Sequence, residues 1–300
     1  MALFMKICWN YVNKFMHKEI FRALLNRKKD TNKYSFGHVL VIGGSEGMVG
    51  APFLSATAAL RTGAGIVTIG SSAHVIQSLE KRVEEIMTLS LPENTNEWGE
   101  VLLTYCKNRK VSVLVFGPGR LADEETIAQL TFLINNTNIP LVLDGGALGA
   151  IGQNIHILHK HEQSIILTPH RGELEKLIGL KLPESIEDIS SICQSFSNNH
   201  EVTLVLKGTQ TLICSPPKSI YRNDSGNPGL ATAGSGDVLS GVIAGLVSQH
   251  VSPSDAAIAG VYLHGLAGDI ASKQKTEPGM IASDIVNYLP AAYANISKEL

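Results

Sequence analysis

Five short apolar runs, at residues 39–42, 111–116, 139–143, 164–167 and 202–206, each end in glycine or a polar cluster. They do not alternate between apolar and polar positions, which marks strands buried on both faces, as in a parallel sheet covered by helices. Stretches of helical spacing at 51–62, 73–87, 123–136, 172–179 and 186–199 separate them and supply the crossovers. The chain therefore reads as α/β, with three αβα layers and a mostly parallel central sheet carrying helices on both faces. Ligands of such sheets lie beyond the carboxyl ends of the strands. That rule makes neighbours of clusters far apart in sequence: Gly43-Gly44-Ser45, Gly117-Pro118-Gly119, Asp144-Gly145-Gly146, Thr168 to Glu173, and Lys207 to Thr211. A hairpin is expected after Lys207, with arms at 211–214 and 219–221, and amphipathic helices at 255–272 and 283–294 close the chain.

Composition narrows the function classes. A chain of 300 residues that is 44% hydrophobic and 17% charged can bury a substantial core. A formal net charge of -2 offers no electrostatic footprint for nucleic acid or an anionic membrane, so the partners are expected to be small molecules. No apolar stretch reaches the roughly 20 residues of a membrane span. Cys8, Cys106, Cys193 and Cys214 lie far apart in sequence and form neither a metal-ligand spacing nor a disulfide framework, as expected of a reduced cytoplasmic protein. Residues 1–25 form a basic N-terminal extension, and 26–300 read as a single domain. The extension suits a short amphipathic helix packed on the body or a tail. It has no Ser and more Lys than Arg, against a mitochondrial presequence, and no uninterrupted apolar core for a secretory signal.

The chemistry concentrates in residues 223–246, NDSGNPGLATAGSGDVLSGVIAGL. Gly226, Gly229, Gly234 and Gly236 allow tight turns and close approach of a ligand to the backbone. From Val238 onward, Val238, Leu239, Val242, Ile243 and Leu246 recur at helical spacing, so a buried helix starts at about Asp237. The first amides of a helix lack intrahelical partners and sit at the positive end of its dipole, so Ala233, Gly234, Ser235 and Gly236 form a candidate anion hole. Asp237 stands beside it. A carboxylate there adds nothing to anion binding but can take the proton from a hydroxyl that attacks phosphorus. The alternative is that Asp237 merely caps the helix; four glycines in this register favour the base.

Other motifs are weaker. Gly43 to Gly50 is no P-loop, because Gly50 is followed by Ala51-Pro52 instead of Lys-Ser or Lys-Thr, and it matches a dinucleotide fingerprint poorly. It is better read as backbone against which a substrate lies, at Gly50 and Ala51. Lys207 either reaches a nucleotide phosphate or is a solvated lysine. His170 and Glu173 enter a helix, where capping is the default role for the acid. His264 is expected to be a packed histidine with one hydrogen bond. Asp144 is either a turn former or a ligand contact.

At this point the chain resembles the ADP- or ATP-dependent NAD(P)H-hydrate dehydratases of the ribokinase-like superfamily, from about Asn26 to the C-terminus. The resemblance is carried by Gly37 to Ser45, Gly50-Ala51-Pro52 with Ala58 to Gly65, Gly117-Pro118-Gly119, Thr168-Pro169-His170 with Gly172-Glu173, Lys207-Gly208 with Thr211, Gly226 to Gly229 with Gly234 to Asp237, and Tyr262 to Asp269. It implies that Ala51, Gly119, His170 and Asp237 contact hydrated NADH or NADPH. Lys207, Gly208, Thr209, Gln210, Thr211 and Gly236 would hold ADP or ATP, the phosphoryl donor. Mg²⁺ would bridge the phosphates, with Glu173 holding it through water. The implied reaction dehydrates the S epimer, and an NAD(P)H-hydrate epimerase domain is expected on another protein. A homotetramer is likewise implied. Met48, Arg120, Gly146 and Arg171 depart from the family pattern and bear on affinity more than on reaction type. Two other readings use the same loop: a kinase of a small-alcohol vitamin precursor of the hydroxymethylpyrimidine or thiazole type, and a nucleotide-binding protein without catalysis.

Overall fold

The computed structural model describes residues 19–300 except 94, 160 and 218. Most of the basic extension, residues 1–18, lies outside the described residues. Residues 19–25 are helical and seat the fully buried Phe21 against Tyr262 and Tyr293.

The strands are β1 His38–Ile42, β2 Ile66–Ser71, β3 Met87–Ser90, β4 Val113–Phe116, β5 Leu141–Leu143, β6 Ile165–Leu167, β7 Thr203–Leu206, β8 Leu212–Ser215 and β9 Ser219–Arg222. They form one sheet in the order β3-β2-β1-β4-β5-β6-β7-β8-β9. Pairing is parallel from β3 to β7, and the β8–β9 hairpin adds two antiparallel ladders. Strand order reverses at β1, which pairs with β2 on one side and β4 on the other, so the crevice of the open sheet falls beyond the carboxyl ends of β1 and β4.

The helices are α1 Gly50–Thr62, α2 Ala73–Leu79, α3 Thr95–Arg109, α4 Glu124–Asn136, α5 Gly146–Gln153, α6 Arg171–Ile178, α7 Ile186–His200, α8 Ser235–Ser248, α9 Pro253–Lys275 and α10 Ala282–Glu299. The two-residue period of a strand divides the core between them. Val39, Val41, Val113 and Val115 pack in the layer of α1, α8, α9 and α10. Leu40, Ile42, Leu114 and Phe116 pack with α3 to α7. This is the three-layer arrangement expected from the apolar runs.

The helix α8 lies unusually close to α1. A Cβ on Gly241 would fall 2.0 Å from the Ser55 carbonyl oxygen, and one on Gly245 would fall 2.8 Å from that of Ala59. Only glycine allows this approach, which fixes the start of α8 over the strands that carry the crevice.

Several elements differ from expectation. The stretch 73–87 is not one helix: α2 stops at Leu79, and β3 begins at Met87. The strand β2 and the helices α3 and α5 had no counterpart among the expected elements. The terminal helices also run further, to Lys275 and Glu299. Cys193 and Cys214, 21 residues apart in sequence, meet as buried free thiols, and the hydrogen bond between them raises the Cys214 thiol above its ordinary range. No helix among the described residues is long and apolar enough to cross a membrane.

Candidate active site

The loop that enters α8 turns through Gly226 (φ 108°) and Gly234 (φ 87°), a backbone region that favours glycine. Gly234 is the N-cap of α8. The Ser235 amide donates to the Thr232 carbonyl at 3.3 Å, whereas the amides of Ala233, Gly234, Gly236 and Asp237 have no acceptor among the described residues. Helix formation thus leaves donors facing outward beside a carboxylate. The Asp237 carboxyl makes no hydrogen bond or ion pair among the described residues, so it is not a cap. Burial pushes it up to about 7, Asp144 adds to the shift, and Lys207 opposes it.

Lys207 follows β7 and is held in line by its amide, which donates to Pro169 O at 2.8 Å in a bridge that pairs it with His170. Its Nζ lies 2.9 Å from Asp144 Oδ1 and 3.9 Å from Glu173 Oε2. Burial alone would lower the ammonium pKa, but the Asp144 and Glu173 carboxylates outweigh it and hold the lysine above its ordinary range. Lys207 is therefore no solvated lysine. A Cβ on Gly236 would sit 3.0 Å from Nζ and 3.6 Å from Asp144 Oδ2, so glycine lets the mouth of α8 approach the ion pair. Asp144 is a turn former, its carbonyl accepting from Ala147 N at 3.1 Å after β5, and its side chain holds Lys207.

His170 and Glu173 form a reciprocal cap on α6. The Glu173 amide donates to His170 Nδ1 at 3.2 Å, and the His170 amide donates to Glu173 Oε2 at 2.8 Å. Because Nδ1 accepts, the neutral ring carries its proton on Nε2. Glu173 Oε1 accepts no hydrogen bond among the described residues. Capping is thus real, and it also places the Glu173 carboxylate beside Lys207.

The other predicted residues divide into two groups. Gly119 and Ala51 come together where the β1 and β4 loops fuse: Gly44 N donates to Pro118 O and Ser45 Oγ to Gly119 O, both at 2.8 Å. A Cβ on Gly119 would lie 3.0 Å from that of Ala51. Gly208 to Thr211 form an exposed turn closed by Thr211 Oγ1, which donates to Gly208 O at 3.2 Å. Thr209 and Gln210 make no side-chain hydrogen bond among the described residues. No group of three metal-ligating side chains exists among the described residues.

Two braces stand behind the loop. His264 Nε2 donates to Ser235 O at 3.1 Å, and burial pushes this histidine down to about 4. It is the packed histidine expected, although the same Nε2 also lies 3.4 Å from Ser235 Oγ, so it has two contacts where one was expected. Asp269 accepts from Gly226 N at 2.9 Å and Asn227 Nδ2 at 3.0 Å. Sequence reasoning noted the Tyr262 to Asp269 run without seeing this role; a carboxylate one turn beyond His264 on a helix was the available signal.

A family model described as NAD(P)H-hydrate dehydratase matches residues 39–291. The chain belongs to this family. Among the dehydratase relatives, the ADP-dependent (S)-NAD(P)H-hydrate dehydratase of Neisseria meningitidis serogroup B is 35% identical over 283 residues, covering 93% of this chain and 90% of that protein. The bifunctional NAD(P)H-hydrate repair enzyme of Moorella thermoacetica is 39% identical over 282 residues, covering 92% of this chain and 53% of that protein. The chain thus spans about half the length of the bifunctional relatives it matches. The ADP/ATP-dependent NAD(P)H-hydrate dehydratase of Bacillus subtilis, co-crystallised with ATP and Mg²⁺, superimposes with a TM-score of 0.76 at 26% identity, over 90% of this chain and 94% of that one. The ribokinase-like fold is shared with it.

Proposed function

We propose that this chain dehydrates the S epimer of hydrated NADH or NADPH, using ADP or ATP as phosphoryl donor. The observation that carries the reading is Asp237: a half-buried carboxyl with no hydrogen-bond partner among the described residues, pushed up to about 7, beside two free helix amides. A base poised near neutrality at a helix mouth suits transfer to a hydroxyl, because the proton and the developing phosphate charge are handled side by side.

Hydroxide is a poor leaving group, so the ring hydroxyl is first phosphorylated. Asp237 takes the hydroxyl proton, the freed oxygen bonds to the terminal phosphorus of the donor, and the bond to its bridging oxygen breaks, releasing AMP or ADP. The ring nitrogen lone pair then expels phosphate as the carbon–oxygen bond breaks, and loss of a ring proton restores the dihydropyridine. Gly236 and Asp237 amides stabilise the transferring group, and Lys207 with the Gly208 to Thr211 turn holds donor phosphates. Ala51, Gly119 and His170 line the substrate side. Mg²⁺ suits a site with one free carboxylate oxygen and no protein cage, since it takes hard oxygen ligands, keeps its waters and rides on phosphates. Glu173 Oε1 would hold it through water, and the ion would neutralise phosphate charge.

The same reading places the enzyme in the cytoplasm as a homotetramer supplied with the S epimer by an epimerase. The test is recovery of reduced-nicotinamide absorbance when the protein meets hydrated NADH, Mg²⁺ and either ADP or ATP. Recovery with one donor establishes the dehydratase and its phosphate source. No recovery with either, together with a stable phosphorylated product from a vitamin-precursor alcohol, establishes the small-alcohol kinase instead.

A further inference from the structure

Beyond the fused β1–β4 loops lies a cleft of about 290 Å³, near the lower end of the ~300–1,000 Å³ range of small-molecule sites. Gly44 and Ser45, which hold the Gly119 segment, also line the cleft, so it continues from the side assigned to the dinucleotide. Gln129 lines it too, is 1% exposed, and leaves its Oε1 without a partner while Nε2 donates to Glu125. A buried amide oxygen left unpaired costs free energy that a hydroxyl or amino donor from a ligand would recover.

The charge of the cleft is mostly negative. Glu46, Glu93, Asp123 and Glu125 line it, against Arg120 as the lining cation. Arg120 is already engaged: its Nη2 lies 3.5 Å from Glu125, its Nε donates to Thr126 at 3.2 Å, and its guanidinium stacks 5.1 Å from the Phe116 ring centroid. Glu46 and Glu93 are exposed and have no ion-pair partner among the described residues. An arginine near a dinucleotide's ribose accommodates a 2′-phosphate, whereas an acid accepts from the free 2′-hydroxyl. Here Glu46 and Glu93 are free, whereas Asp123 caps a helix, Glu125 holds Gln129 and Arg120, and the arginine is engaged.

We propose that this cleft receives the adenosine end of the dinucleotide and, by its surplus of carboxylates, selects hydrated NADH over hydrated NADPH. The proposal rests on the dehydratase reading and names the substrate within it. A phosphate monoester carries about -1.5 to -2 charges at neutral pH, so the repulsion acts on the phosphorylated substrate alone.

The experiment measures kcat/KM for both hydrates with the preferred donor at low and high salt, for the wild type and for the double variant Glu46→Lys, Glu93→Lys. The expected wild-type ratio favours hydrated NADH by about tenfold and shrinks as salt rises. The double variant lowers that ratio about tenfold relative to wild type, whichever absolute rates move. Because both side chains are exposed, an unchanged melting temperature confirms that the variant is folded. Equal kcat/KM for the two hydrates overturns the proposal while leaving the dehydratase intact. So does a preference for hydrated NADH that survives the charge reversal, since the cleft would then not be its source. Failure to repair either hydrate with ADP or ATP overturns the dehydratase reading and this inference with it.

Discussion

The mouth of α8 and the helix pair behind it both bury a titratable side chain, with opposite consequences. Burial drives Asp237 and His264 alike toward their neutral forms, up to about 7 and down to about 4. His264 satisfies its ring proton on Ser235 O and is locked neutral through the physiological range. Asp237 has no hydrogen bond to choose one state for it, and Asp144 and Lys207 pull it in opposite directions. A buried group stays chemically useful when its partners are left to the substrate; it becomes a strut when the fold supplies them.

The comparison breaks most visibly at Asp237. Asp237→Asn is expected to lower turnover by about 100-fold or more, the scale of a lost general base; turnover within about tenfold of wild type would show that another group takes the proton. Its effect on stability runs the other way. The folded-state pKa lies above the ordinary carboxyl value, so the stability Asp237 permits is full below about pH 4 and is lost as pH rises through about 7. Unfolding across pH should therefore show Asp237→Asn more stable than wild type above pH 7, by about 1–3 kcal/mol, and equal to it at acid pH.

Lys207→Ala is the next largest. Nucleotide affinity by calorimetry should fall about tenfold or more with the fold retained, and unchanged affinity would remove Lys207 from the site. The cation that opposes the rise of Asp237 is also lost, so the acid limb of the kcat/KM profile should move to higher pH. The smallest effect belongs to the strut. His264 has a folded pKa below its ordinary value, so its contribution is present above about pH 6.5 and lost as pH falls toward about 4. His264→Gln keeps a donor and removes the titration, and should lose about 1 kcal/mol less than wild type between pH 7 and pH 5. Equal acid sensitivity would place the titrating group elsewhere.

Much of the fold was legible because its inner strands announce themselves. β1, β4, β5, β6 and β7 are buried throughout, so each is an apolar run. β3 is an edge strand with no buried residue, and nothing in Met87–Ser90 distinguishes it from the end of a helix. α3 hides for a related reason: Trp98, Leu102 and Cys106 are buried at a spacing of four, a stripe too narrow to dominate a polar segment. α5 holds glycines at 146, 149 and 152, which argue locally against a helix that tertiary packing nevertheless imposes. Of the site, the glycine loop, Asp237, Lys207 and His170 were readable as strand-end or helix-start residues. The strand-end rule made neighbours of the Asp144 and Lys207 clusters, but not their ion pair, because the partners are 63 residues apart and only the folded side-chain geometry brings Nζ to Oδ1.

The amino-acid sequence alone determined the parallel α/β plan, the glycine-bounded mouth of a buried helix and the family to which the chain belongs, since these depend on local periodicity, backbone freedom and ordered motifs. Tertiary structure decided the charge state of Asp237, the engagement of Lys207 with Asp144 and the neutralisation of Arg120 by Glu125. Those outcomes depend on desolvation and on Coulomb interactions among residues that only folding brings within a few ångströms.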